Sequence, residues 1–405
     1  MRAACLCLVF VTVLSARSLT PAWVELGPDG RNVARVVVET GDSCPSLQAD
    51  GHAMAMQRRE PVPEGFPPAC EAAISATIRT LRLGTQKLKL PATPKSVIVF
   101  GDTGCRVAEK ELQDCNDPVA WPFLRNAQTV ARARPDLIVH VGDYLYRETE
   151  CPDAKAGCTG PHGDNWPAWN ADFFTPAAAA LAAAPWAFTR GNHENCERSW
   201  RGWFYYLDPR PFDGTCTEQS DAWIAASGTL RIGMLDSAMV AAKDKKNASY
   251  VPRVAEQLTR LSGHVDWISV HHPFWAYLPG ATPTAPLAAA WDKAKPKGVR
   301  MVVSGHMHVF EFLGFGDGRP SQLVAGDGGT SLEKVPIGQR LSAETVFGSM
   351  VNTGESRHDF GHTELHRVET NAVKGWSLEL HELDGSKAFA CMLPDKGDAT
   401  CDNAK

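Results

Sequence analysis

Five strand-length apolar runs, each closing on a short polar cluster, constrain this chain more than any other feature. Ser96 to Phe100 ends in Gly101-Asp102-Thr103-Gly104, and Leu137 to Val141 in Gly142-Asp143-Tyr144-Leu145-Tyr146. Trp186 to Thr189 leads to Gly191-Asn192-His193-Glu194, Trp267 to Val270 to His271-His272-Pro273, and Val299 to Val303 to Gly305-His306-Met307-His308. A sixth run, Leu230 to Leu235, has the same character. Helical patterns lie between them: Trp121 to Arg134, Ala177 to Ala184 (opened by Thr175 and Pro176), Val254 to Leu261 and Pro286 to Ala294. Runs that are apolar without alternation predict strands covered on both faces by helices. Later runs, Val309 to Leu313, Gln322 to Ala325 and the alternating Trp376 to Leu380, predict further sheet with one wet face. Ligands of open α/β sheets bind beyond the carboxyl ends of the strands, so the five clusters are expected to meet at one rim. A lone Gly-Asp after a strand is ordinary turn punctuation; five clusters in series, rich in His, Asp and Asn, are not.

Asp, Asn, His and Tyr offer oxygen and imidazole donors, suited to hard or borderline ions such as Fe, Mn and Zn. Two carboxylates side by side repel and raise each other's pKa unless cations neutralise them. The set therefore reads as a metal centre. The net charge of -5 gives no generic attraction to nucleic acid or anionic lipid, so an anionic substrate must be held by a local site. The 44% apolar and 21% charged composition is that of a chain that folds around a sizeable core.

The ordered set D-x-G, G-D-x-x-Y, G-N-H-E, His-x-Pro and G-H-x-H resembles the calcineurin-like metallophosphoesterases and, within them, the purple acid phosphatases. The resemblance covers residues 96 to 308 firmly and the stretch to 390 more loosely. Most metallophosphoesterases open with D-x-H; here position 104 is Gly, and Tyr146, three residues after Asp143, stands where purple acid phosphatases place a ligand tyrosine. The resemblance implies an α/β fold of the α+β sandwich type: two mixed β-sheets flanked by helices in four αββα layers. It implies that Asp102, Asp143, Tyr146 and His308 hold Fe(III), while Asp143 bridges to a second divalent ion (Fe, Zn or Mn) completed by Asn192, His271 and His306. Ile268 replaces the valine of the family's V-x-x-H, which leaves His271 and His272 in competition; the x-Pro spacing favours His271. His193 is implied as general acid, and Asn192, His193 and either His272 or His162 as substrate contacts. The activity implied is hydroxide attack on a small phosphate monoester. A ferric and a divalent ion against Asp102, Asp143 and a Tyr146 phenolate leave a charge of about +2, matched to a phosphate dianion. The nearest alternative is a phosphodiesterase or nucleotidase with two Mn or Zn ions; the distant one is a catalytically silent, metal-stabilised binding protein.

Met1 and Arg2 precede an apolar run from Ala3 to Val13 and then Leu14-Ser15-Ala16-Arg17-Ser18, which reads as a signal peptide over 1–18 and predicts a secreted or periplasmic protein with no membrane span after its removal. Removing Cys5 and Cys7 leaves ten of the twelve cysteines, an even number that reads as disulfides in an exported chain. Pairing of neighbours is the simplest arrangement, each pair closing a short loop. Residues 19–94, with short β-type runs and a Pro-rich stretch, are expected to form a small β-rich N-terminal domain, followed by a catalytic domain over 95–390 and a tail over 391–405. His140, inside an apolar strand, reads as a core histidine, whereas His358, His362 and His366 read as a solvated linker rather than a metal trio. Trp166, Trp169, Trp275 and Tyr277 are candidates for a substrate wall or for ordinary core. The oligomeric state is open.

Overall fold

The structure is a computed structural model that describes residues 17–108, 111–240, 247–277, 285–333 and 339–402. Two sheets face each other. The larger has eleven strands, in spatial order Thr400–Cys401, Lys387–Pro394, Lys374–Glu382, Gly361–Glu369, Ser96–Phe100, Leu137–His140, Trp186–Phe188, Trp23–Glu25, Asn32–Val37, Ala69–Ile74 and Gln57–Arg58. The second has nine: Trp223–Ser227, Leu230–Leu235, Trp267–Val270, Met301–Ser304, Ser321–Ala325, Phe310–Phe315, Ser349–Arg357 and Gln339–Arg340 in order, with Thr345–Val346 added alongside Ser349–Arg357.

Strand periodicity builds the layers. In Ser96–Phe100, Val97 and Val99 point into the core between the sheets with Leu137, Val139, Ile232, Met301, Val303 and Leu323. Ile98 and Phe100 point the other way, against Phe123, Ala127 and Val130 of the helix Phe123–Ala133. Ile268, Val270 and Val302 of the second sheet meet Val254, Leu258 and Leu261 of the helix Asn247–Leu261 in the same manner. The result is the expected αββα sandwich, with parallel central strands in both sheets.

Several expectations need correction. The segment 19–94 is β-rich, but it is not separated from the catalytic sheet: Trp23–Glu25 pairs in parallel with Trp186–Phe188 and carries three further strands after it. Only the four-stranded sheet built from Ser46–Ala49, His52–Ala55, Leu81–Leu83 and Gln86–Leu88 stands apart. Nor is 391–405 a free tail, since Lys387–Pro394 and Thr400–Cys401 form the opposite edge of the large sheet. Thr175 does not open its helix. The helical path starts at Trp166, where Asn165 accepts from Ala168 N at 3.2 Å, and runs through a π-helical turn at Asn170–Phe174. Residues 1–16 of the signal segment, Cys5 and Cys7 included, lie outside the described residues; Ser18 bridges to Val38.

The ten remaining cysteines pair as neighbours: Cys44–Cys70, Cys105–Cys115, Cys151–Cys158, Cys196–Cys216 and Cys391–Cys401. Among the described residues, no helix is long and apolar enough to cross a membrane.

Candidate metal centre

Each polar cluster leaves the carboxyl end of a central strand, and short backbone links tie them together. Asp102 N donates to Gly142 O at 2.9 Å, Thr103 N to Asp143 O at 3.0 Å and Gly305 N to His271 O at 3.0 Å. Asp102, Asp143 and His306 have φ of 54°, 58° and 71°, a left-handed conformation that turns the chain sharply at the sheet edge. Asp and His are among the non-glycine residues that enter this region most readily. A side chain is excluded where the loops crowd: a Cβ on Gly191 would lie 2.0 Å from Asp143 Oδ1.

Two sets of donor atoms converge and share one carboxylate. Tyr146 Oη lies 3.0 Å from Asp102 Oδ1, 2.9 Å from Asp143 Oδ2 and 3.0 Å from His308 Nε2. His271 Nε2 lies 3.1 Å from the same Asp143 Oδ2 and 3.0 Å from Asn192 Oδ1, which is 2.9 Å from His306 Nδ1. The remaining nitrogens of two of the histidines are committed to carbonyls: His271 Nδ1 to Val141 O at 2.9 Å and His308 Nδ1 to Ser331 O at 2.8 Å. That arrangement aims Nε2 inward, as metal-binding histidines are held.

Proton counting shows that the residues fit a cation. With His308 Nδ1 donating to Ser331, its Nε2 is a lone pair, so the single Tyr146 hydroxyl proton faces three acceptors. Burial pushes the Asp102 carboxyl well above the usual range, and the charge of Asp143 adds to this. Burial works the same way on Asp143, but His271 and His193 outweigh it and hold its carboxyl well below that range. Burial drives His306 and His308 down to about 3. His271 rises to about 9, because the Asp143 carboxylate overcomes the burial that opposes protonation. Burial thus disfavours charge on the Asp102 carboxyl beside Asp143, and positive ions among these atoms would let both ionise.

Gly104, where a family histidine is missing, is explained by crowding. A Cβ there would lie 2.7 Å from both Tyr144 O and Tyr146 N and 2.9 Å from Tyr146 Cδ2. The backbone and ring of Tyr146 thus leave no room for a side chain at 104.

His193 stands at the side of the cluster. Its ring packs on Tyr146 with centroids 3.9 Å apart, Nε2 lies 3.9 Å from Asp143 Oδ2, and Nδ1 lies 2.8 Å from Glu148 Oε1. The last is a close approach of an imidazole nitrogen to a carboxylate oxygen. His272 is buried behind the cluster, its Nδ1 3.0 Å from Ser237 Oγ and its ring 4.0 Å from that of His306; it is His271 that faces Asp143 and Asn192. His162 is exposed, its carbonyl accepting from Asn165 Nδ2, and no hydrogen bond or ring contact joins it to the cluster. His140 is a core histidine, stacked 4.0 Å from Tyr144. Trp169 and Trp275 are core residues, not a substrate wall.

Sequence reasoning missed the carboxylates that shape the loops. Glu194 accepts from Asp143 N, Tyr144 N, Leu145 N and Gly191 N at 3.1, 2.8, 3.3 and 3.0 Å. Asp172, fully buried, accepts from Tyr146 N at 2.9 Å and pairs with Arg147. Arg106 sits 5.4 Å over the Tyr146 ring and 3.4 Å from Glu111. Only Glu194 gave a local signal, as the last residue of Gly-Asn-His-Glu.

The chain is similar to two solved structures over most of its length. One is a purple acid phosphatase, PPD1, from seeds of yellow lupin (Lupinus luteus), with 14% identity and a TM-score of 0.57, covering 91% of this chain and 73% of that one. The other is PhoD, with 10% identity and a TM-score of 0.59, covering 97% and 93%. At such identities the likeness is one of fold. No curated protein sequence matches. The sequence pattern of the calcineurin-like phosphoesterases matches residues 95–310, more than half of the chain and the stretch that contributes every residue of the two donor sets, so the protein belongs to the calcineurin-like phosphoesterase family.

Proposed function

We propose that this protein is an exported phosphatase that hydrolyses small phosphate monoesters at a dinuclear metal centre. The observation that carries the reading is the shared carboxylate: Asp143 Oδ2 lies 2.9 Å from Tyr146 Oη in one donor set and 3.1 Å from His271 Nε2 in the other. Asp102, Asp143, Tyr146 and His308 would hold Fe(III); Asp143, Asn192, His271 and His306 would hold a divalent Fe, Zn or Mn ion. Bound there, the two ions supply Lewis acidity and a water of lowered pKa. The chain's own residues do the rest. Glu194 and Asp172 accept from the backbone of the loops that carry the donors and hold those loops together. Packing on Tyr146 and the Glu148 contact hold His193 with Nε2 toward the cluster, where it can give a proton to the departing alkoxide. The paired disulfides and the leader-like first residues support export.

The test is hydrolysis of an aryl phosphate at pH 5 with and without chelator, together with metal content and the visible spectrum. One iron per chain, a tyrosinate-to-iron band and chelator-sensitive monoester hydrolysis support the reading. A colourless enzyme containing Mn or Zn and preferring diesters replaces it with the phosphodiesterase alternative, and metal without turnover replaces it with a binding protein.

A further inference from the structure

Strands Gly361–Glu369 and Lys374–Glu382 carry a second concentration of imidazoles and carboxylates, on the face turned toward the helix Phe123–Ala133. Their register sets His362 opposite His381 and Glu364 opposite Glu379, with His366 two residues beyond Glu364 on the same face. Glu364 is the hub. Its Oε1 lies 3.2 Å from His362 Nε2, and its Oε2 lies 3.0 Å from His366 Nε2 and 4.0 Å from His381 Nε2. Glu379 Oε2 lies 3.2 Å from His381 Nε2. This is a strand face with His362 fully buried, not the solvated linker its polar sequence suggested.

The positions of the ring protons make the cluster unusual. Asn126 Nδ2 donates to the carbonyls of Gly328 and Gly361 at 3.1 and 2.6 Å, so Asn126 Oδ1 is left to accept from His362 Nδ1 at 2.8 Å. His362 therefore carries its proton on Nδ1 and points an Nε2 lone pair at Glu364 Oε1. His381 is placed in the same way: Nδ1 faces Gly385 O at 3.2 Å, and Nε2 points toward Glu379 and Glu364. With His362 neutral, an acceptor faces an acceptor at Glu364 Oε1. One imidazole nitrogen anchored to an oxygen and the other aimed among carboxylates is the way metal ligands are presented.

We propose that His362, His381 and Glu364, with Glu379 at the rim, bind one divalent transition ion, separate from the centre at the strand ends. Mixed imidazole and carboxylate donors suit Zn²⁺, Cu²⁺ or Ni²⁺ rather than Ca²⁺ or Mg²⁺. The His362 and His381 rings are nearly parallel, 14° apart with centroids separated by 5.9 Å, so they must tilt toward Glu364 to share the ion. His381, 16% exposed in its side chain, has the room to do so. The ion would tie two neighbouring strands together and, through Asn126, brace the helix against them.

The experiment is titration of the full-length protein, its catalytic ions in place, with Zn²⁺ and separately with Cu²⁺. One further ion per chain is expected, with nitrogen couplings from two imidazoles in the Cu²⁺ electron paramagnetic resonance spectrum. The double variant Glu364→Gln, His381→Gln is expected to lose that ion while keeping aryl phosphatase activity. Absence of an additional ion, a copper spectrum without imidazole nitrogen, or equal uptake by the variant would overturn the proposal. The spectrum is read on the unmodified protein, so the outcome does not depend on the variant folding.

Discussion

A single methyl group at position 104 is enough to disturb the candidate centre. Its contacts would be two backbone atoms, Tyr144 O and Tyr146 N, each 2.7 Å away, neither of which can swing aside as a side-chain tip could. Gly104→Ala is expected to destabilise the fold by roughly 1 to 3 kcal/mol and to lower metal content, read by thermal melting and elemental analysis. An unchanged melting temperature and full metal would contradict the crowding. His193→Ala is expected to lower kcat on alkyl phosphates by about 10²- to 10⁴-fold, and less on aryl phosphates, whose leaving groups need little proton transfer. Equal losses on both would remove His193 from that role. The residues whose chemistry is in their type, such as Asp102, Asp143, His306 and His308, were legible in the sequence because few other tasks call for them at strand ends. Glu148 and Asp172 were not, since their parts depend on distance in space: Asp172 reaches the Tyr146 amide across 26 positions.

Among the elements, strands with apolar inner faces could be read directly; Ser96–Phe100, Leu230–Leu235 and Trp267–Val270 have the expected bounds. Gly361–Glu369 was read as a linker because its outer face consists of His362, Glu364 and His366, polar residues that face one another and Asn126, with no hydrophobic pattern to announce a strand. The strand Phe310–Phe315 holds a different buried charge. Glu311 accepts from Tyr277 N at 2.8 Å, its Oε2 has no hydrogen-bond partner among the described residues, and burial raises its pKa to about 8. A carboxyl raised in this way binds its proton more tightly folded than unfolded, so it favours the fold below the unfolded pKa near 4.5 and loses that contribution as pH rises to about 8. Between pH 5 and 8 the loss is at most roughly 4 kcal/mol. Denaturant titrations at those two values are expected to show a smaller difference for Glu311→Gln than for the parent; an identical difference would clear Glu311 of responsibility.

On the scale of the whole molecule, the boundary read at 91–94 is a change in composition, not a division of the fold. The large sheet continues through Trp23–Glu25 and Asn32–Val37 to the edge at Gln57–Arg58. A chain truncated to 95–405 would bare the edge of Trp186–Phe188 and the apolar side of Trp23's packing partners, among them Phe174. It is expected to be insoluble or to lack a cooperative melt, and a soluble, active fragment would restore the independent domain. Such long-range strand pairing has no local sequence signature, and for that reason the short runs of 19–94 suggested a separate unit.

The donors come from both halves of the sandwich: Asp102, Asp143, Tyr146 and Asn192 follow strands of one sheet, His271, His306 and His308 strands of the other. Ions seated among them would act as a rivet across the seam, so the catalytic apparatus and the clasp between the two halves would share the same fastener. Stripping the ions is then expected to weaken the protein mechanically as well as chemically, by about 3 kcal/mol for each ion held at a hundredfold excess over its dissociation constant.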